Sequence, residues 1–212
     1  MPRSSESLPD RPSSLPVLLA VLWLALLGFI WAHQFRGKVP DRDFLPRNTI
    51  RLALAYYALA ATLMLRLRPV GWSAATSSGR LARACWTLAC LAYLLHVACA
   101  FHYAHHWSHA EAYEHVRQAG GVGEGIFVSY LFTLLWTGDV IWWWTAPAGY
   151  ARRFPWIDRL LHGFMLFVIF NATVVFEFGP VRWAGTALFV WLAVVWLASR
   201  GRQRPRSFDR GV

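Results

Sequence analysis

LPVLLAVLWLALLGFIWAH, residues 15–33, is the stretch that decides the fold, because it contains no Asp, Glu, Lys or Arg. An α-helix rises about 1.5 Å per residue, so a run of this length crosses the ~30 Å hydrocarbon core of a bilayer. The run is long for the apolar part of a signal peptide, and no small-residue cleavage site precedes Gln34 and Phe35. We therefore expect the first span to be an uncleaved transmembrane anchor.

Five further apolar stretches of comparable length follow the first one. They cover residues 52–67, 85–103, 126–144, 160–178 and 183–199. The composition agrees with this pattern, since 57% of the residues are hydrophobic and only 15% are charged, unlike a typical soluble domain. We predict an all-α, polytopic transmembrane bundle of about six helices over residues 14–200. The flanking segments, residues 1–13 and 201–212, are expected to be a disordered tail and a basic tail.

The second span is the shortest of the six and the least sharply bounded. Asn48 and Thr49 precede it, and small polar side chains of this kind cap the N termini of helices. We therefore expect the second helix to begin near Arg51.

The positive charges favour an orientation with both termini in the cytoplasm. In that orientation, fourteen of the 21 Lys and Arg residues lie inside and seven lie outside, as the positive-inside rule requires. Five of the seven outer charges lie over residues 36–51. This cluster is the main argument against an orientation with both termini in the cytoplasm. Arg accounts for 20 of the 21 basic residues, as in a GC-rich genome. We expect a multi-pass protein of a bacterial inner membrane, whose basic face contacts anionic lipid and not nucleic acid.

A histidine-rich segment, HVACAFHYAHHWSHAEAYEH, covers residues 96–115 and holds six of the eight histidines. It contains no Gly or Pro, so we expect the third helix to continue past the membrane to about Val116, where the glycines of residues 120–125 end it. At about 100° per residue, four of its histidines would share one face on the outer side. These four are His102, His105, His106 and His109.

Neutral imidazoles at this spacing predict a site for a transition metal or for one b-type haem. One helix rarely supplies every ligand, so other helices are expected to complete the site. The candidates lie at the outer ends of other spans and are His33, Glu124 and Glu177. The alternative is that the histidines form only the polar face of an interfacial helix. Either reading leaves the reaction, and even whether the protein is an enzyme, unassigned.

Two family resemblances bear on this segment. Residues 102–106 spell H-x-x-H-H and resemble one histidine box of the membrane fatty-acid desaturases and hydroxylases, which implies a di-iron oxygenase. That family has three boxes, and this sequence offers one. His96 and His109 have the 13-residue spacing of the two-haem b-type cytochromes, but the fifth span offers His162 and no second histidine in register. A single haem, held by His33 with His102 or His106, fits the sequence better.

Asp139 and His162 lie at matching depth if the fourth and fifth spans pack antiparallel. A charged group in hydrocarbon costs at least about 2.5 kcal/mol, so such residues pair or line a cavity. We therefore predict that these two side chains form a buried polar pair. The pair and the outer histidines leave a proton-linked transporter open as an alternative function. Another is a non-enzymatic subunit or assembly factor, whose many Trp residues pack against lipid or other membrane subunits.

Overall fold

The computed structural model describes residues 14–36, 42–67, 72 and 76–201. The predicted tails, residues 1–13 and 201–212, lie outside the described residues except for Gly201, the last residue of α8. Every regular element in the described part is helical. The eight α-helices are α1 (Leu15–Gln34), α2 (Phe44–Arg66), α3 (Ser77–Cys99), α4 (His109–Gly120), α5 (Gly125–Thr145), α6 (Pro147–Ala151), α7 (Pro155–Phe170) and α8 (Gly179–Gly201). Two π-helical turns, Ala100–Ala104 and Asn171–Val175, extend α3 and α7.

Six of these helices are long and apolar enough to cross a membrane, which confirms the predicted helical bundle. They are α1, α2, α3 with its π-helical turn, α5, α7 with its π-helical turn, and α8. The orientation of the termini stays a prediction. We call the end of the bundle where α3 stops and α5 starts the histidine end. The opposite end, where α5 stops and α7 starts, is the arginine end.

The predicted start of α2 near Arg51 is wrong, because α2 begins at Phe44. Asn48 and Thr49 lie inside the helix and not at its cap. Their side chains donate to carbonyls one turn earlier: Asn48 Nδ2 to Phe44 O at 2.8 Å and Thr49 Oγ1 to Leu45 O at 2.7 Å. Small polar side chains bonded in this way are tolerated within helices, so their presence did not mark a boundary.

The pair α2 and α3 forms the centre of the bundle. Small side chains along the contact, such as Ala53, Ala60 and Ala89, are fully buried and let the two backbones approach closely. α5 packs on α3, α7 packs on α5, and α8 packs against α2 and the π-helical turn after α7. Most residues of α1 are exposed, so a large part of its surface is available to lipid.

The expected continuous helix from the third span to Val116 is also wrong. After the turn Ala100–Ala104 the backbone takes positive φ values at His106 (47°) and Trp107 (59°), and a separate helix, α4, begins at His109. Ser108 caps α4, since its Oγ accepts from the Glu111 N–H at 3.3 Å. The predicted stop in the glycines is confirmed: α4 ends at Gly120, and Gly121 has the left-handed φ of 79° common at helix C termini.

The packing of α8 depends on a glycine that has no room for a side chain. A Cβ at Gly185 would lie 2.7 Å from Thr173 Oγ1 and 3.0 Å from Thr173 O. We expect Gly185→Ala to lower the free energy of unfolding by about 1–3 kcal/mol, as overpacking does. Gly163 on α7 has no neighbour within 4 Å, so Gly163→Ala is the matched control and should be neutral or stabilising by up to about 1 kcal/mol. Unfolding in detergent measures both, and equal effects would contradict this packing.

Candidate functional site

The histidine-rich segment does not form one helical face. His102 lies within the π-helical turn Ala100–Ala104 that ends the third span, His105 and His106 lie in the link after it, and His109 begins α4. Their contacts differ accordingly. Trp107 Nε1 donates to His102 Nδ1 at 3.3 Å, and His109 Nδ1 lies 2.8 Å from the hydroxyl of Tyr130. The predicted arrangement of four imidazoles along one face is therefore wrong, because the helical segment that carries the first of them ends at Ala104 and a separate helix begins at the last.

The residues that we expected to complete the site differ in their surroundings. His33 stacks on Phe44 with ring centroids 5.0 Å apart. Glu124 accepts a hydrogen bond from the Tyr113 hydroxyl at 3.0 Å, and this bond raises the pKa of Tyr113. Glu177 is exposed in the link between α7 and α8. Within the described ranges, no three His, Cys, Asp or Glu side chains are grouped so that they could hold a metal ion.

Two of the histidines in the segment do meet. The rings of His105 and His115 have centroids 5.1 Å apart at an interplanar angle of 67°. Burial, and then the neighbouring His115, lower the pKa of His105. The prediction omitted His115, because at about 100° per residue it does not share the helical face of the other four histidines.

A second polar site lies at the arginine end and is built around Arg153, in the turn between α6 and α7. Arg153 Nη1 donates to Asp139 Oδ1, and Arg153 also forms an ion pair with Asp158. The Arg153 side chain is 1% exposed and that of Asp139 is 3% exposed. Asp139 lies six residues before the end of α5, about 9 Å along the helix axis. A charge at that depth needs a partner, and Arg153 supplies it.

The second carboxylate oxygen of Asp139 accepts two further hydrogen bonds. Asp139 Oδ2 accepts from the indole of Trp86 at 2.9 Å and from the hydroxyl of Tyr150 at 3.0 Å. Trp86 belongs to α3 and Tyr150 to α6, so one carboxylate ties α3, α5 and α6 together. Burial raises the pKa of Tyr150, as does the neighbouring Asp139, so this hydroxyl remains a donor.

Aromatic rings surround the guanidinium of Arg153. Its carbon lies 4.0 Å from the centroid of Tyr150 and 5.8 Å from that of Trp72. Tyr150 in turn stacks on Trp143 at 4.5 Å, and Trp143 Nε1 donates to the Trp72 carbonyl at 2.9 Å. Burial opposes the charge, but Tyr150 and the two carboxylates outweigh it and raise the pKa of Arg153. The guanidinium therefore stays charged in this aromatic enclosure.

His162 joins the same network from α7. Its Nε2 lies 3.5 Å from Arg153 Nη2, while its ring packs edge-on against Trp86 with centroids 5.4 Å apart. Asp139 and His162 thus both contact one guanidinium. Their direct pairing stays a prediction. We did not identify Arg153, Tyr150 or Trp86 from the sequence, although the cost of burying Asp139 called for a donor near the end of α5.

Two apolar clefts flank this network. One, of about 490 Å³, lies between α5 and α7 and includes Asp139 and Trp156 in its wall. The other, of about 360 Å³, lies between α2, α7 and α8, and we call it the His162 cleft. Its wall includes Tyr57, Met64, Trp72, His162, Phe189 and Trp196. The buried Nε1 of Trp72 has no hydrogen-bond partner among the described residues.

Comparison with known proteins adds no family to this picture. No protein-family model, curated protein or solved structure matches the chain. The chemistry of the site is therefore inferred from its own residues, which show two features. A buried charged network lies inside the bundle, and Trp72, in the wall of the neighbouring cleft, has a buried indole N–H with no partner in the part of the chain that the structure describes.

The ion pair between Arg153 and Asp139 should dominate the stability of the arginine end. We expect Arg153→Met to lower the free energy of unfolding by about 3–5 kcal/mol, because it leaves the Asp139 carboxylate buried without a counter-charge. Arg153→Lys keeps the charge but loses the planar fork, so its effect should be intermediate.

The adjacent Arg152 is exposed and provides a matched control. Arg152→Met should change the stability by less than about 0.5 kcal/mol, as most surface substitutions do. Thermal or denaturant unfolding in detergent compares the three variants. Equal losses for Arg152→Met and Arg153→Met would show that the buried pair is not what stabilises this end.

Proposed function

We propose that this integral membrane protein binds a lipid-soluble molecule with a hydrogen-bond-accepting head group in the His162 cleft, and that a quinone is the class that fits best. The observation that carries the proposal is a largely apolar and aromatic cleft whose wall includes His162 and Trp72, and the buried indole N–H of Trp72 has no partner among the described residues. Buried donors nearly always have partners. A small rotation of the buried Trp72 ring toward the cleft would let an acceptor on a ligand satisfy this one.

The lining of the cleft favours a flat ring attached to an apolar tail. Tyr57, Trp72 and Trp196 offer aromatic surface, while Met64 and Phe189 are apolar. Small-molecule sites commonly combine such a lining with a few fixed polar groups. The two carbonyl oxygens of a quinone would match an indole donor and an imidazole donor.

The depth of the cleft also suits a ligand that arrives through the membrane. All but one of its lining residues belong to α2, α7 and α8, three of the six helices that can span a bilayer. His162 is seven residues from the start of α7, about 10 Å along its axis. A head group there would lie near the polar boundary of the membrane, with its tail extending among the helices.

The charged network gives His162 a defined role in this proposal. If Arg153 Nη2 donates to His162 Nε2 across 3.5 Å, the proton of the neutral ring resides on Nδ1. Nδ1–H is then the group that can donate to a ligand. Asp139 and Asp158 hold Arg153 in position, so the network would preorganise the binding wall. The proposal assigns binding and no reaction.

A titration with the full chain in nanodiscs tests the proposal. The probe is a benzoquinone with a decyl tail, and quenching of intrinsic Trp fluorescence reports binding. We expect Trp72→Phe, which keeps an aromatic ring but removes the N–H, to raise the Kd about 5-fold, as the loss of one hydrogen bond of ~1 kcal/mol would. His162→Leu should weaken binding at least as much.

Two controls make the result specific. Trp156→Phe removes an indole N–H from the other cleft and should leave the Kd unchanged. Decylbenzene has the ring and the tail but no carbonyl oxygens, so it should bind the unmodified protein more weakly than the quinone. Equal Kd values for unmodified protein, Trp72→Phe and His162→Leu would overturn the proposal.

A further inference from the structure

We propose that the cleft between α5 and α7 binds one anionic phospholipid from the leaflet at the arginine end. An acyl chain of the lipid would lie in the cleft, and its phosphate would lie at the guanidinium groups of Arg152 and Arg159. We call this cavity of about 490 Å³ the α5/α7 cleft. It is separate from the His162 cleft, since the two have no lining residue in common among the described residues.

The wall of the α5/α7 cleft is apolar and open to the surroundings of the bundle. Leu134 on α5 and Leu160 on α7 both line it, and they are 70% and 65% exposed. Asp139 is the acidic residue in the wall, but both of its oxygens accept hydrogen bonds from the buried network and its charge is paired with Arg153. The wall therefore suits a hydrocarbon chain better than a polar ligand.

A glycine leaves room for that chain on the α5 side. Gly138 lines the cleft, and a Cβ at this position would meet nothing within 4 Å. Because small residues let a neighbouring chain approach a helix closely, an acyl chain can lie directly against the backbone of α5 here. A large side chain at residue 138 would fill the same space.

The length of the cleft matches one leaflet of a bilayer. Its lining residues run from Leu134 to Trp142 on α5 and from Trp156 to Phe164 on α7. Each run rises about 12 Å along its helix axis, close to half of the ~30 Å hydrocarbon core. Trp142 and Trp156 lie at the end nearer the turn, and Trp side chains are typical of the polar boundary of a membrane. The cleft thus extends from that boundary toward the midplane, as an acyl chain does.

Two exposed arginines lie at the end of the cleft where the phosphate would be. Arg152 is in the turn between α6 and α7, and Arg159 follows Trp156 by three residues on α7, so these two share a face. Long Arg side chains reach the interface, and the planar guanidinium matches the oxygens of a phosphate. The two carboxylates of the buried network are paired with Arg153. An anionic head group would therefore meet the two exposed cations.

Native mass spectrometry of the full, delipidated chain in detergent tests this site. The probes are palmitoyl-oleoyl phosphatidylglycerol, which is anionic, and the phosphatidylcholine with the same chains. We expect one phosphatidylglycerol per chain, bound about tenfold more tightly than phosphatidylcholine. Arg152→Gln and Arg159→Gln should each raise the Kd for phosphatidylglycerol about fivefold, the contribution of one basic residue near anionic lipid. Gly138→Leu should weaken binding of both lipids at least about tenfold, because it fills the cleft.

The matched controls are Arg66→Gln and Gly163→Leu, and both should leave the Kd for phosphatidylglycerol unchanged. Arg66 is exposed at the last residue of α2, at the arginine end. Gly163 lies on α7, and a Cβ there would also meet nothing within 4 Å, but it does not line the cleft.

Three results would overturn the proposal. The first is equal affinity of the unmodified protein for the two lipids. The second is a Gly138→Leu variant that binds phosphatidylglycerol as tightly as the unmodified protein, or arginine variants that bind it as tightly as Arg66→Gln does. The third is a dimer of the unmodified protein that Gly138→Leu dissociates, because a second copy of the chain would then cover the cleft.

Discussion

The ion pair between Arg153 and Asp139 is the interaction on which the arginine end of the bundle depends. Asp139 lies on a helix that can span the membrane, where an isolated charge is costly, and Arg153 comes from the turn that follows. Because a buried ion pair gains little unless its remaining hydrogen-bonding groups are satisfied, the neighbours of this pair are tightly constrained. Trp86, Tyr150 and Asp158 meet that requirement.

These constraints extend outward from the pair to the surface of the cleft. Tyr150 stacks on Trp143, and Trp143 Nε1 donates a hydrogen bond to the carbonyl of Trp72. Arg153 itself contacts His162. The two polar side chains on the wall of the His162 cleft are therefore connected to one charged centre by short chains of contacts. Asp139 does not line this cleft, yet through Arg153 it helps to set the geometry of the binding wall.

The six-helix fold was predictable because hydrophobic length is a strong and local signal. All six spans were located, although α2 begins earlier than residues 48 and 49 suggested. The break after residue 104 was missed, since no Gly or Pro marks it. A signal was present in the sequence, because Ser108 and Glu111 have the spacing of a capping box, and its recognition would have separated His109 from the third helix.

The site itself was less predictable, because its members come from distant parts of the chain. Asp139 and His162 stood out as polar residues within apolar spans, and both contact Arg153. Arg153 looked like an ordinary basic residue of an inner loop, and nothing local distinguishes it from the exposed Arg152. Likewise, the meeting of His105 and His115 depends on two left-handed residues, a backbone feature that neither composition nor periodicity reveals.

A double-mutant cycle between residues 139 and 153 measures the central interaction most directly. The free energies of unfolding of Asp139→Asn, Arg153→Gln and the double variant would be compared with that of the unmodified protein in the same detergent. The account predicts a coupling energy of about 2 kcal/mol, as expected for contacting groups in one network. Additive effects, within about 0.5 kcal/mol, would contradict the claim that this ion pair organises the arginine end.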